Sequence, residues 1–173
     1  CGFCPVLLPH GTSVFRSQYL FNGCTRTLMH QIKFRNFQRV LDFFQPKLSP
    51  ELLDHIPSDT RLVAIPLSHA GHWRRGFNPS EVLCRRLEEQ HQIPLLVRGL
   101  KKNRTTLPQS SLSGDARLKN LRNCFEWRKE VPVPQAALLI DDVATTGTTL
   151  SSTARVLTKV GVKWIGAWTL LRT

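Results

Sequence analysis

The chain has 173 residues, 41% of them hydrophobic and 8% aromatic, with 24 Lys and Arg against 12 Asp and Glu, a formal net charge of +12 and a pI near 10.3. One domain with a full core fits that length, and no apolar stretch approaches the roughly 18 residues of a membrane span, so membrane insertion is not expected. No signal-peptide pattern opens the sequence, which adds the expectation of a cytoplasmic location, and the basic excess points to polyanionic partners, nucleic acid or phosphorylated metabolites.

The five cysteines stand at positions 1, 4, 24, 84 and 124. An odd number without an export signal argues against a disulfide framework, and Cys84, inside a helical pattern, reads as a small core residue. Cys1-Gly2-Phe3-Cys4 is half of a zinc ribbon. Tetrahedral zinc takes four ligands and the other cysteines are scattered singly. Cys1 and Cys4 are therefore expected to be half of a zinc site whose remaining ligands lay upstream, in a chain that starts on Cys rather than Met. Residues 17–21 read as a strand closed by the turn signal Asn22-Gly23. Leu28, Met29 and Ile32, then Phe37, Val40, Leu41 and Phe44, recur at helical spacing and predict a helical pair ended by Pro46, with a loop carrying Pro50 and Pro57 beyond it.

Arg61-Leu62-Val63-Ala64-Ile65-Pro66 predicts a buried strand that runs into Leu67-Ser68-His69-Ala70-Gly71-His72-Trp73-Arg74-Arg75-Gly76-Phe77. A helix follows, with Asn78 as cap, Pro79 at its first position, Glu81 completing a capping box, and Val82, Leu83 and Leu87 inward. It ends before Pro94, and a strand at Leu95 to Leu100 completes a βαβ unit. The loop of that unit combines small residues, two histidines and two arginines, the composition a pyrophosphate site requires. His69 and His72 are read as solvated or phosphate-contacting before they are read as catalytic. Arg104 to Leu112 is polar and without a period, a loop or short hairpin, and Ser113 caps a helix with Leu118 and Leu121 inside. Basic residues also gather at 33–35, 98–104 and 117–129, the last with Phe125 and Trp127 interleaved. Rings among cations can stack bases while the cations follow a nucleic-acid backbone; the alternative is a set of solvated faces.

Ala136-Ala137-Leu138-Leu139-Ile140 is an uninterrupted apolar run, suited to a strand buried on both sides of a parallel sheet. Asp141 and Asp142 stand at its carboxyl end. Val143, Ala144 and a hydroxyl-rich turn around Gly147 follow, and Thr148 to Val160, stopped by Gly161, reads as a helix. Residues 162–171 form a last strand. Ligands of open α/β sheets bind at the carboxyl ends of strands, and here the turn's N–H groups, the helix N-terminus and Thr145, Thr146, Thr148 and Thr149 form a cup for phosphate. Two carboxylates beside an anion site repel it unless something else uses them. A sugar diol does: adjacent carboxylates accept hydrogen bonds from vicinal hydroxyls while the turn holds a phosphate on the same sugar, as in a ribose 5-phosphate. The alternative is an ordinary turn with two solvated aspartates.

This order of residues resembles the binding motif of type I phosphoribosyltransferases, whose carboxylates hold the ribose hydroxyls of phosphoribosyl pyrophosphate. Cys1-Gly2-Phe3-Cys4, the Tyr19 to Lys33 stretch, Arg75-Gly76-Phe77-Asn78, Arg104-Thr105 with Gln109, Arg117 with Asn120-Leu121 and Phe125, and Asp141-Asp142 are together similar to the ComF/GntX family, over nearly the whole chain. The resemblance implies an α/β domain like a type I phosphoribosyltransferase over residues 17–173, with a mostly parallel central sheet flanked by helices, and a remnant of a cysteine-rich zinc ribbon over 1–16. It implies that Asp141 and Asp142 hold ribose hydroxyls, that Ala144, Thr145, Thr146, Gly147, Thr148 and Thr149 hold the 5-phosphate, and that Leu67, Ser68 and His69 hold the pyrophosphate. Arg75 and, less directly, Arg104 and Arg117 are added as anion contacts. Mg²⁺ would accompany the phosphoribosyl pyrophosphate, and Zn²⁺ the full-length protein. The implied role is DNA uptake in natural competence or use of external DNA, with single-stranded DNA and a competence helicase or uptake channel as partners. The alternative is an active phosphoribosyltransferase acting on a base or another nitrogen acceptor, with no catalytic residue identified. One departure is Pro79, where the family commonly has Gln.

Overall fold

The computed structural model describes residues 9–28, 40–67, 76–102 and 124–173. The apolar run after Gln135 becomes β5 (Ala136–Ala144), which pairs in parallel with β6 (Trp164–Arg172) on one side and β2 (Thr60–Ala64) on the other. β1 (Val14–Leu20) adds to β6, also in parallel, giving the order β1-β6-β5-β2. Parallel neighbours need crossovers, and two helices supply them. α3 (Pro79–His91) follows β2, and α4 (Thr148–Val160) joins β5 to β6. The sheet is thus mostly parallel with helices over it, the α/β architecture the resemblance implies.

Alternation along β5 divides the core. Leu138 and Ile140 pack with Leu62 and with Leu83 and Leu87 of α3, while Ala137 and Leu139 pack with Leu150, Ala154 and Leu157 of α4. Both faces are covered, which is why β5 reads as a continuous apolar run instead of an alternating one. Each fully buried leucine of this set contributes about 1.5–3 kcal/mol. Cys84 is fully buried in the α3 layer, where desolvation holds its thiol well above the usual range, and it is a core residue as its helical position foretold.

Several boundaries differ from those read along the chain. β1 begins at Val14, ahead of residue 17, because its register with β6 starts there at Gly166. Residues 23–28 are helical and α1 (Val40–Phe43) matches the second half of the expected pair; the residues between lie outside those described. The stretch read as a loop with Pro50 contains a short helix, α2 (Pro50–Leu53). Ser49 caps it, and a proline at the first position has no N–H to lose. Leu95 to Leu100 is not one strand. Leu95 makes a single parallel bridge to Leu62, and Arg98 then takes a left-handed φ of 60°, which breaks the extended run. The chain resumes as β3 (Leu100–Lys102), antiparallel to β4 (Phe125–Trp127), a strand that the sequence pattern did not mark. The expected helix after Ser113 and the loop from Arg104 to Leu112 lie outside the described residues.

Gly166 shows how tightly the middle of the sheet is filled. A Cβ there would come within 2.5 Å of the Trp164 ring and 2.9 Å of Leu138 Cδ1. Gly166→Ala is expected to overpack the core by about 1–3 kcal/mol and lower the melting temperature by roughly 5 °C in a thermal denaturation scan. An unchanged midpoint would mean that the half-buried Trp164 swings aside.

Candidate functional site

Hydrogen bonding to β6 continues past the apolar part of β5, with Asp141 opposite Thr169 and Ala144 opposite Arg172, so both aspartates belong to the strand itself. Asp141 Oδ1 accepts two hydrogen bonds, from Ser80 Oγ at 3.1 Å and from the Asp142 N–H at 2.9 Å. Asp142 Oδ1 accepts the Val143 N–H at 2.8 Å. The two carboxyls lie close enough to share a hydrogen bond. Desolvation, and then the charge of Asp142, push the Asp141 carboxyl up to about 8; the Asp142 N–H and the Ser80 hydroxyl pull the other way. Near neutral pH the couple therefore keeps a proton on Asp141.

Beyond Ala144 the chain turns through Thr145 and Thr146, both exposed, and Gly147 starts α4 in the left-handed region at φ 69°. No side chain caps this helix. Its N-terminus keeps the partial positive charge and the outward N–H groups that suit an anion. The Thr146 and Thr148 hydroxyls lie 2.6 Å apart, and Thr148 is buried while Thr149 is half-buried. The turn is held from outside by the N-terminal segment: a Cβ on Gly147 would sit 3.6 Å from Pro9 Cγ, and the His10 N–H donates to Ser151 Oγ at 2.9 Å.

Of the expected pyrophosphate loop, Leu67 is described and half-buried just past β2, whereas Ser68, His69 and Arg75 lie outside the described residues, as do Arg104, Arg117, Cys1 and Cys4. Both ends of that loop are nevertheless tied together. Asn78 Nδ2 donates to Ile65 O at 3.0 Å while Asn78 Oδ1 accepts the Ser80 N–H at 3.2 Å. The expected capping box takes a different form, because Glu81 Oε1 meets the side-chain amide of Asn78 at 3.4 Å. Among the described residues no group of three or more His, Cys, Asp or Glu side chains is placed to hold a metal ion. No helix among them is long and apolar enough to cross a membrane.

Two residues at the site went unnoticed in the sequence. Ser80 looks like an ordinary first-turn residue beside Pro79, and nothing local says that it meets an aspartate 61 positions away. Lys102 on β3 is the other. Burial lowers its ammonium from the usual lysine range, while Cys124 and Asp141 act to raise it, and its Nζ lies 5.5 Å from the Phe125 ring centroid. One expectation is overturned: Phe125 and Trp127 are each only 5% exposed and belong to the α4-side core, so neither ring is free to stack on a base. Alternation in β4 turns both inward and leaves the intervening Glu126 to pair with Lys101 at 3.3 Å.

The raised carboxyl has a stability signature. An unfolded aspartate ionises near 3.8, whereas folded Asp141 holds its proton to about 8, so folding stability falls as pH rises between those values and the loss is complete above the upper one. Asp141→Asn removes that ionisation. Its melting temperature is expected to match wild type near pH 4 and to exceed it by about 4 °C or more near pH 9; a gain independent of pH would contradict the burial of this charge.

No family model matches the chain. Curated relatives do. The chain is 35% identical to the DNA utilization protein YhgH of Escherichia coli K12 over 153 residues, 84% of this chain and 66% of that protein. It is 38% identical to Competence protein F of Haemophilus influenzae over 114 residues, 64% of this chain and 49% of that protein. It is also 30% identical to Competence protein ComFC of Bacillus subtilis over 160 residues, 91% of this chain and 63% of that protein. The chain therefore spans just under two thirds of the length of YhgH. Similarity at this level over most of the chain, joined to the parallel α/β sheet and the acidic couple at its carboxyl edge, means that the chain belongs to the ComF family.

Proposed function

We propose that this protein binds phosphoribosyl pyrophosphate, or a related ribose phosphate, together with Mg²⁺, and serves DNA uptake or the use of external DNA. The observation that carries the reading is the placement of a carboxyl couple and an uncapped helix N-terminus on one continuous segment at the carboxyl edge of the sheet. A ribose 5-phosphate engages both at once: Asp141 and Asp142 accept from the ribose hydroxyls, and residues 144–149 surround the phosphate. The loop that starts at Leu67, with Ser68, His69 and Arg75, is assigned to the pyrophosphate. Mg²⁺ supplies charge neutralisation for that pyrophosphate when bound. Lys102, within electrostatic reach of Asp141, adds a cation to the same rim.

The biological role rests on the relatives, whose names speak of DNA utilisation and competence. Single-stranded DNA is assigned to the exposed cations, among them Arg85 and Arg86 on α3 and Arg155 and Lys159 on α4. With Phe125 and Trp127 buried, contact there is through phosphates, and a competence helicase or an uptake channel is the protein partner class. Cys1 and Cys4, ahead of β1, are assigned to a cysteine-rich segment in which they provide half of a zinc site, and the protein to the cytoplasm.

Calorimetry with phosphoribosyl pyrophosphate and Mg²⁺ tests the site. At pH 9, above the Asp141 transition, wild type is expected to bind, and Asp141→Asn/Asp142→Asn to lose at least about tenfold in affinity, since charge-assisted hydrogen bonds to a diol are each worth ~1.5–3 kcal/mol. Equal binding by both proteins would refute the assignment. In parallel, affinity for a single-stranded oligonucleotide should fall steeply between 50 and 200 mM salt, on the order of tenfold or more for a few phosphate contacts. No binding at low salt would remove direct DNA contact from the proposal.

A further inference from the structure

Four hydrogen bonds close a ring around the carboxyl edge. The Ile65 N–H donates to Ile140 O at 3.0 Å, Asn78 Nδ2 donates to Ile65 O at 3.0 Å, the Ser80 N–H donates to Asn78 Oδ1 at 3.2 Å, and Ser80 Oγ donates to Asp141 Oδ1 at 3.1 Å. The ring leaves β5 at Ile140, passes through the end of β2 and the first turn of α3, and returns to β5 one residue later. Asn78 and Ser80 are each only 3% exposed. Water therefore competes poorly for these bonds, and the donors have few other places to go.

From this geometry we infer that Ser80 is a positioning residue: its hydroxyl fixes the plane of the Asp141 carboxyl for the ribose diol and, through Asn78, ties the carboxyl couple to the chain at the end of β2. The inference rests on the ribose-phosphate reading of the site. A hydroxyl that donates to a carboxylate favours the ionised form, so Ser80 also makes the charged state of Asp141 more accessible. Among the described residues, few other groups face this carboxyl. On β5 the Asp142 carboxylate opposes ionisation, and on β3 Lys102, beside Cys124, favours it. On α3 the neighbouring Glu81 is exposed and engaged with Asn78. The first turn of α4 brings only Thr148 and Thr149, and β6 has Thr169 opposite Asp141 and Arg172 opposite Ala144.

The test measures the affinity of the full chain for phosphoribosyl pyrophosphate with Mg²⁺ between pH 7.5 and 9.5, where the ligand's phosphates are almost fully ionised. Wild type is expected to bind more tightly as pH rises through the Asp141 transition. Ser80→Ala should move that transition upward by about one unit and weaken binding about tenfold at pH 7.5, with little difference at pH 9.5. Ser80→Thr, which keeps the hydroxyl, should restore the wild-type profile. A Ser80→Ala profile that superimposes on wild type overturns the inference, and so does a loss that is equal at every pH and not restored by Thr. Carbon-13 NMR titration of the Asp141 carboxyl in ligand-free protein gives a second readout: the same upward shift is expected in Ser80→Ala, and its absence overturns the inference whether or not the ligand binds. Failure of wild type to bind, with the NMR shift present, would instead remove the ribose-phosphate reading and leave Ser80 as the group that sets the Asp141 carboxyl.

Discussion

Two like-charged groups placed side by side at the end of an otherwise apolar strand impose the main constraint on this structure. Carboxyls taken out of water cost several kcal/mol unless they are neutralised or receive hydrogen bonds. Here both answers are used. Asp141 keeps a proton to about pH 8, and its Oδ1 collects one side-chain and one main-chain donor. The first turn of α3 must then lie where Ser80 reaches β5, the end of β2 must lie where Asn78 reaches Ile65, and β3 brings a lysine near.

The parts of the fold governed by local physics were readable along the chain. The run from Ala136 to Ile140 could only be a strand covered on both faces, and Gly147 and Gly161 bracketed α4 because both adopt left-handed φ. Asn78-Pro79 marked the start of α3 for the same kind of reason, a cap followed by a residue whose missing N–H costs nothing there. The rest was set by contacts remote in sequence. Nothing in the apolar stretch from 95 to 100 announces the left-handed Arg98 that splits it, since glycine is the usual signal and it stands one residue later. The strand at 125–127 is too short for periodicity to show, and its pairing with residues 100–102 is visible only once the chain has folded.

The acidic couple and the threonine turn were legible because a single segment holds them. Ser80 was not, because its role exists only across the gap between α3 and β5. The interleaved rings misled for a related reason: a basic, aromatic-rich stretch looks like a nucleic-acid surface in one dimension, yet the strand's alternation sends Phe125 and Trp127 into the core and leaves the charges outside. The net charge of +12 is therefore carried without an aromatic platform on this hairpin, and among the described residues some of the 24 cations are held in surface ion pairs, such as Arg86 with Glu89 and Arg128 with Glu130. Such exposed pairs are worth ~0–1 kcal/mol and contribute little to holding the fold together.

The single bridge between Leu62 and Leu95 has an effect out of proportion to its size. The Leu62 N–H is taken by Pro94 O and the Leu62 carbonyl by the Leu96 N–H, after which the turn at Arg98 carries the chain off the sheet. A parallel sheet that stops on a bare, straight margin invites another molecule to add its own strand there, the route to edge-to-edge aggregation. One residue of pairing, preceded by a proline without an N–H and followed by a sharp change of direction, occupies the middle of that margin and presents no straight template to a neighbour on this side of the sheet.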